Sequence, residues 1–371
     1  MKQPLDTDAT GEVDDLLRSV GLGHGRRKTL AGSWQNGERR ARRPPAASHG
    51  TLTGPEAVKH IELLRAPDWQ RFPWLRHGFS TRSGGVSTIY DQGTDLRSLN
   101  LGWTQQDEAA NVAENRRRFL AAAFKSSDNP ETAPRSHFPS SCLVTLRQFH
   151  SGLVRIVEAD SAPGNRLQTA DGRAVLRGDG AMTDLPGVLL GIQTADCVPV
   201  LLADVRRRAV AAFHAGWRGT LARIVERGVG TMRLRYGSRP QDLLAVVGPS
   251  IGPCCYAVGE ELRFEFESQF AYAPQLFSEV YDSDPVREKY PLLFLTARAP
   301  GHSNIGPQIH LDLWQANRRQ LLDAGIPDKR ITVVGECSAC AGLGTAAGRK
   351  YFSHRAENGF TGRMLSVVGV V

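Results

Sequence analysis

The stretch GVLLGIQTADCVPVLLAD, residues 187–204, constrains the fold more than any other segment. It reads as one buried strand, a break, and a second buried strand, and the break carries Asp196 and Cys197 side by side just before Pro199. A strand that serves packing alone has no use for a carboxylate beside a thiol, because burying a carboxylate is costly unless partners compensate it. The chain continues as RRRAVAAFHAGWRGTLARIVERGVGTMRLRYG. Here Ala209–Phe213 reads as a short buried strand and Gly216–Gly219 as a tight turn. The apolar spacing of Leu221, Ile224, Val225, Val229 and Met232 predicts a helix over 221–234, with Thr220 as its N-cap. Strand, turn and helix in succession deliver the residues of the turn to one end of a sheet.

The same plan recurs along the chain. DLLAVVGPSIGPCCYAVGEELRFEFESQF is strand, Gly/Pro loop and charged helix. IHLDLWQANRRQLLDAGI is a helix with Gly325 near its C-terminal end, and RITVVGECSAC starts as a strand and closes in Cys-x-x-Cys. CLVTLRQFHSGLVRIVEA reads as two strands meeting at a turn near Ser151–Gly152. No internal repeat is present. The pattern is mixed α/β, with polar residues collected in loops. Residues 271–307 fit neither period and read as an insertion.

Composition bounds the rest. Much of the net charge of +8 falls in residues 25–43 (Arg26, Arg27, Lys28, Arg39, Arg40, Arg42, Arg43), among Gly, Ser, Asn and Pro. Such a segment cannot bury enough apolar surface to offset its ordering entropy, so residues 1–50 are expected to form a disordered basic tail ahead of a folded domain over 55–371. A nucleic-acid-binding protein is a reading that rests only on this tail and the charge, and no aromatic residues interleave the basic ones. The acidic N-terminus lacks the apolar core of a signal peptide, and no apolar run approaches membrane-spanning length. Six cysteines in 371 residues do not make a disulfide scaffold. A reducing cytoplasm is therefore expected, with thiols available as ligands or nucleophiles.

Three residues at edges between apolar strands and turns stand out: His150, Cys197 and His214. Two imidazoles and a thiolate suit zinc, and three protein ligands leave a fourth position open. The intervals of 46 and 16 residues do not make a local metal motif, and each residue alone reads equally well as a structural histidine or a small buried hydrophobe. FHAGWRGT places a His beside small residues, Arg218 and a helix start, a corner suited to an anion. HGFSTRSGGVS at 77–87 is a Gly/Ser-rich loop carrying Arg82, and SLNLG follows at 98–102; both suit a phosphate or sugar, or an ordinary surface turn.

Taken together, HGFSTRSGGVS, SLNLG, QFH, DGAMT, TADCVPVLLAD, AAFHAGWRGT, GPSIGPCCYAVG, HLDL, the Cys-x-x-Cys and YFSHR…TGR occur in the order of one family. Over roughly residues 70–371 the chain resembles the bacterial polyphenol-oxidase laccase-domain family, known also as the peptidoglycan editing factor family. The resemblance implies a single-domain layered α/β sandwich with mixed sheets, and one catalytic zinc on His150, Cys197 and His214. It implies phosphorolysis of adenosine, guanosine, inosine or methylthioadenosine, and deamination of adenosine. Purine nucleosides and phosphate are then the partners. Two positions depart from the family: Ser151 replaces a Gly, and Cys337-Ser338-Ala339-Cys340 replaces Cys-Thr-x-Cys. Ser151 is expected to narrow the pocket or supply a hydroxyl.

On this reading a metal on the triad would activate a water or a sugar hydroxyl. Arg82, Arg218 and Arg355 are the candidates for holding phosphate, since the planar guanidinium matches its oxygens, and Arg82 is placed among the catalytic groups. Asn100 would orient the sugar. Asp196 is either a proton shuttle for deamination or a carboxylate supporting the metal ligands. Zinc is expected rather than copper, because a multicopper centre needs about ten imidazoles in His-x-His pairs and this chain has ten His with none so paired. A second enzyme class would use the same pocket as an amidase that edits L-serine-containing peptidoglycan precursors. Cys337 and Cys340 are expected to play a structural or pocket-lining role rather than hold a second metal, because the spacing of Cys254-Cys255 does not supply a standard second pair.

Overall fold

The central run forms three strands, and in the last two every residue, from 198 to 204 and from 209 to 215, is buried. In the computed structural model, residues 61–91, 97–124, 143–159, 167–168, 172–280, 308–345 and 348–371 are described, and all belong to one compact unit, Ala57–Val371. The basic tail at 1–50 lies outside the described residues. Along the chain come β1 (Leu63–Leu64), β2 (Leu75–Ser80), β3 (Ser83–Ser87), helix α1 (Ala109–Phe124), β4 (Leu143–Thr145) and β5 (Val154–Ile156). Next are β6 (Gly180–Thr183), β7 (Leu189–Thr194), β8 (Val198–Asp204), β9 (Ala209–Ala215), α2 (Trp217–Leu221), α3 (Ile224–Tyr236) and β10 (Leu243–Val247). The chain continues through β11 (Ala257–Val258), α4 (Glu260–Gln269), β12 (Phe277–Val280), β13 (Gln308–Leu311), α5 (Leu313–Asp323), β14 (Ile331–Val333) and β15 (Met364–Val370).

These strands form a five-stranded sheet in the order β1-β2-β15-β7-β4, a six-stranded sheet β14-β10-β8-β9-β6-β5, and a small sheet β11-β13-β12. The two large sheets are mixed: β4 runs parallel to β7, β5 to β6 and β10 to β14, and their other pairs are antiparallel. The period of two explains why the central strands are apolar on both faces. Leu201, Ala203, Val210 and Ala212 meet Leu190, Ile192, Val368 and Val370 of the facing sheet. Their neighbours Val198, Val200, Leu202, Ala211 and Phe213 pack against Val225, Val229 and Met232 of α3, Phe266 of α4 and Leu321 of α5. On the outer face of the five-stranded sheet, Leu189, Leu365 and Val367 pack against Phe119 and Leu120 of α1. The expected layered α/β sandwich is present, with two sheets back to back at its centre and helices outside both.

Three local readings are corrected. Residues 216–219 are not a simple turn but enter the short helix α2, which Gly216 opens in an extended conformation. Arg223, in the left-handed region at φ 54°, then resets the chain so that α3 starts at Ile224. Thr220 is therefore not an N-cap; its hydroxyl donates to the Ala215 carbonyl (3.4 Å) and accepts from Asn317 Nδ2 (3.1 Å). The two strands expected around Ser151–Gly152 are present, but they do not pair with each other, because β4 belongs to one sheet and β5 to the other. Apolar spacing reveals a strand but not its partner. The first ten residues of the segment read as an insertion are built into the fold: Ala273 and Leu276 are buried in the core, and β12 pairs with β13. The remainder, 281–307, lies outside the described residues. Among the described residues no helix is long and apolar enough to cross a membrane.

Candidate metal centre

Among the described residues the chain passes from the five-stranded to the six-stranded sheet twice, and both crossings meet at one end of the sandwich. One runs from β4 to β5 and carries Gln148 and His150; the other runs from β7 to β8 and carries Asp196 and Cys197. Since β4 and β7 are parallel, both crossings leave from the same edge. The end of β9 arrives there too, with Ala215 opposite Val198 and His214 opposite Pro199. Gln148 ties the crossings together: its amide nitrogen donates to the Gln193 carbonyl (2.7 Å) and its oxygen accepts from the Gln193 amide (2.8 Å). One ligand atom from each of His150, Cys197 and His214 thereby comes within 4.8 Å of the others. The imidazole rings are 4.9 Å apart, inclined at 63°.

Both crossings are strained. His150 (φ 62°) and Asp196 (φ 92°) are left-handed without being glycine, a conformation that costs ~1–3 kcal/mol and persists only where surrounding contacts enforce it. The enforcement at His150 comes from Asp179, which is completely buried. Its carboxylate accepts from the amides of Phe149 (3.2 Å), His150 (2.9 Å) and Ser151 (2.7 Å), from the Ser151 hydroxyl (2.7 Å), and from His214 Nδ1 (2.9 Å). Burial alone would raise its pKa, but hydrogen bonds from His214 and Ser151 outweigh it and hold the group well below the usual carboxylate range. An ionised Asp179 can only accept, so His214 carries its proton on Nδ1 and presents Nε2 to a metal. Asp179 opens the DGAMT motif, yet nothing in its local sequence marks it as the residue that orients two ligands. Of the two roles expected of Ser151, narrowing the pocket or supplying a hydroxyl, the second is the one seen, and it serves Asp179 from outside the cavity lining. Its hydroxyl is turned to Asp179.

Burial pushes the Cys197 thiol up, but the His214 charge and hydrogen bonds from His150 and His214 bring it down to about 6. His214 moves the other way: burial lowers it, while the Cys197 thiolate and the Asp179 hydrogen bond raise it to about 9. The sulfur is thus held as a thiolate, the form that ligates metal. Gly216 leaves the room for it, since a Cβ at that position would lie 2.7 Å from Cys197 Sγ. Two nitrogens and one thiolate sulfur on a rigid frame fit a tetrahedral metal with one open position.

All three ligand residues line a cavity of about 570 Å³, a size suited to a small organic molecule. Trp217 and Tyr256 offer aromatic walls, and Arg218, Arg355 and Arg363 bring three guanidinium groups. Of the residues expected to hold substrate, Arg218 and Arg355 are there; Arg82 and Asn100 are not. Arg82 is buried in an ion pair with Glu357 (2.6 Å), donates to the Tyr90 carbonyl, and lies over the Phe352 ring. Asn100 is wholly buried and accepts from the Arg363 amide (2.9 Å), so it braces the cavity wall from behind. Arg363, in the TGR motif, was missed because nothing distinguishes it locally from a surface arginine. Asp196 lines the cavity, with Oδ1 accepting from the Ser338 hydroxyl (2.7 Å) and Oδ2 from the Arg355 amide (2.6 Å).

Folding brings Cys254 and Cys255 to Cys337 and Cys340 although their spacing in the chain is not that of a standard second pair. The loop after β10 and the loop after β14 run side by side, so that Cys254, Cys255, Cys337 and Cys340 converge with all four sulfurs within 4.8 Å.

Comparison with known proteins gives this architecture a context. The purine nucleoside phosphorylase of Deinococcus radiodurans is 34% identical over 310 residues, covering 84% of this chain and 93% of that protein. The purine nucleoside phosphorylase YlmD of Geobacillus stearothermophilus is 33% identical over 80% of this chain and 94% of its own length. Its crystal structure superposes with a TM-score of 0.61 over 83% of this chain and 96% of that one. Adenosine deaminase RL5, from an unknown prokaryotic organism, is 33% identical over 53% of this chain and 66% of its own. A family model described as multi-copper polyphenol oxidoreductase laccase matches residues 76–371. The chain belongs to that laccase-like family, whose members it resembles in sequence and fold.

Proposed function

We propose that this chain is a zinc-dependent purine nucleoside phosphorylase that also deaminates adenosine. The observation that carries this reading is one cavity holding a two-histidine, one-thiolate donor set, three arginines and two aromatic walls. The names of relatives at 33–34% identity point to the same chemistry. The donor set favours zinc over a multicopper centre, which needs many more imidazoles than two. Bound at His150, Cys197 and His214, the metal would supply a Lewis acid at the cavity floor.

The chain's own groups divide the remaining work. Arg218, Arg355 and Arg363 hold phosphate, whose oxygens the guanidinium fork matches. Tyr256 and Trp217 pack against the purine. Each Asp196 oxygen accepts one hydrogen bond from the protein and keeps a second lone pair, so one carboxylate both holds the Arg355 loop and takes a proton during deamination. Arg82 and Asn100 act as positioning residues behind the wall. The described cysteines are free of disulfides, in keeping with a cytoplasmic enzyme.

The test is incubation of purified protein with adenosine, with and without phosphate. Adenine and ribose 1-phosphate formed only with phosphate support phosphorolysis, and inosine supports deamination. Failure of the zinc-loaded protein to turn over any purine nucleoside overturns the reading. Cleavage of UDP-MurNAc-L-serine in its place would make the protein an amidase.

A further inference from the structure

We infer that Cys254, Cys255, Cys337 and Cys340 form a second, structural zinc site, separate from the triad. Four thiolates around one zinc, each about 2.3 Å from it, stand about 3.8 Å apart. Cys254 Sγ and Cys340 Sγ are already 3.7 Å apart, and no two of the four sulfurs are more than 4.8 Å apart. That separation is well beyond the ~2.05 Å of a disulfide, and the four sulfurs converge on one point instead of sorting into two pairs. An all-sulfur set selects a soft cation, of which zinc is the redox-inert, tetrahedral one.

The surroundings are those of a built site. Cys337 is buried and its sulfur accepts the Gly252 amide (3.3 Å). Amides directed at a sulfur stabilise its thiolate form, as donors around a metal ligand do. The opposite loop is fixed as well: His310 Nδ1 donates to the Pro253 carbonyl beside Cys254, and Trp314 Nε1 donates to Ser250 Oγ (2.6 Å). Between the loops, the Ser250 amide donates to the Glu336 carbonyl (3.3 Å) and the Ser338 amide to the Ser250 carbonyl (2.9 Å). Adjacent cysteines are an unusual spacing for zinc. The turn Gly252–Tyr256, in which the Cys255 amide donates to the Gly252 carbonyl (3.0 Å), brings both sulfurs to the same side as the Cys-x-x-Cys.

The site has a consequence for the cavity. The two joined loops carry Ile251 and Tyr256, which line it, and Ser338, which holds Asp196. Zinc at the four sulfurs would lock this wall with no open position of its own, so it fixes substrate-binding residues without touching substrate.

The decisive measurement is metal content of the full-length chain, purified under reducing conditions and loaded with zinc. Two equivalents are expected in the wild type, one in Cys197→Ser and one in Cys340→Ser. If the triad reading fails while this one holds, the wild type and Cys197→Ser both contain one equivalent and Cys340→Ser contains none. Should Cys340→Ser not fold, cobalt loaded into Cys197→Ser provides an independent readout. Intense thiolate-to-cobalt charge-transfer absorption with tetrahedral d–d bands is expected there. Unchanged zinc content in Cys340→Ser, absence of that absorption, or an intact-mass result showing a Cys254–Cys340 disulfide in the reduced preparation overturns the inference.

Discussion

The two sulfur-bearing clusters sit a few residues from a common wall, yet they are built on opposite plans. The triad mixes nitrogen and sulfur donors, stands on strained backbone at His150 and Asp196, and opens into a cavity. The four-cysteine cluster is all sulfur, stands on turns among the described residues without left-handed backbone at any cysteine, and lies outside the cavity lining. An open donor set with stored strain suits chemistry, and a closed set suits cross-linking. Charge follows the same division. Asp179 and His214 hold Cys197 ready as a thiolate. In the other cluster the thiols diverge: burial and the neighbouring sulfurs push Cys254 up, while the Gly252 amide helps to bring Cys337 down.

The sharpest way to separate the clusters is Cys197→Ser. It is expected to reduce nucleoside turnover to background and remove one equivalent of metal, while the absorption of cobalt at the four sulfurs persists. Loss of both signals together would break the distinction. Asp179→Asn comes next. Asparagine still fits the buried site but cannot accept every donor that Asp179 accepts, and metal affinity at the triad should fall about 10- to 100-fold, as measured by competition with a chelator. Gly216→Ala should have a smaller effect. Its new Cβ, 2.7 Å from Cys197 Sγ, displaces the thiolate; a 1 Å misplacement costs about 100-fold, and a smaller shift should cost about tenfold in kcat/KM with Tm nearly unchanged.

The least effect on activity is expected from His77→Gln, which lies outside both clusters and tests whether acid sensitivity belongs to the fold. Burial, then the charge of Arg65, holds His77 down at about 4 from its ordinary 6.5, and its Nε2 accepts the Ala66 amide (2.9 Å). The native imidazole stays neutral while the unfolded chain takes up a proton. Stability is therefore full above pH 6.5 and declines as pH falls toward 4, by on the order of 3 kcal/mol. Glutamine keeps the acceptor and cannot titrate. Denaturant melts of the variant should show a flatter pH profile across that window, and an unchanged profile would place the sensitivity elsewhere.

Much of this was legible in the chain. The alternating apolar runs at 189–204 and 209–215 mark buried strands because the period of two leaves little freedom. His150, Cys197 and His214 stand out because polar groups at strand ends are costly without a purpose. Other features were hidden because local sequence does not encode who meets whom. Arg82 and Arg363 are both arginines in Gly-containing loops, and only the fold sends one into an ion pair with Glu357 and the other to the cavity. Asp179 looks like a turn residue until three amides, a hydroxyl and an imidazole are found to converge on it.

TADC shows the division most clearly. By itself the sequence determined that residues 187–204 are two buried strands with an interruption, and that a thiolate and a carboxylate there serve something other than packing. Only the tertiary structure decided that the interruption is a passage between two sheets. There Cys197 faces the histidines and Asp196 turns back to hold Ser338 and Arg355. Periodicity is a property of neighbouring residues along the chain, whereas a site assembled from separate crossings depends on strand pairings that no local pattern specifies.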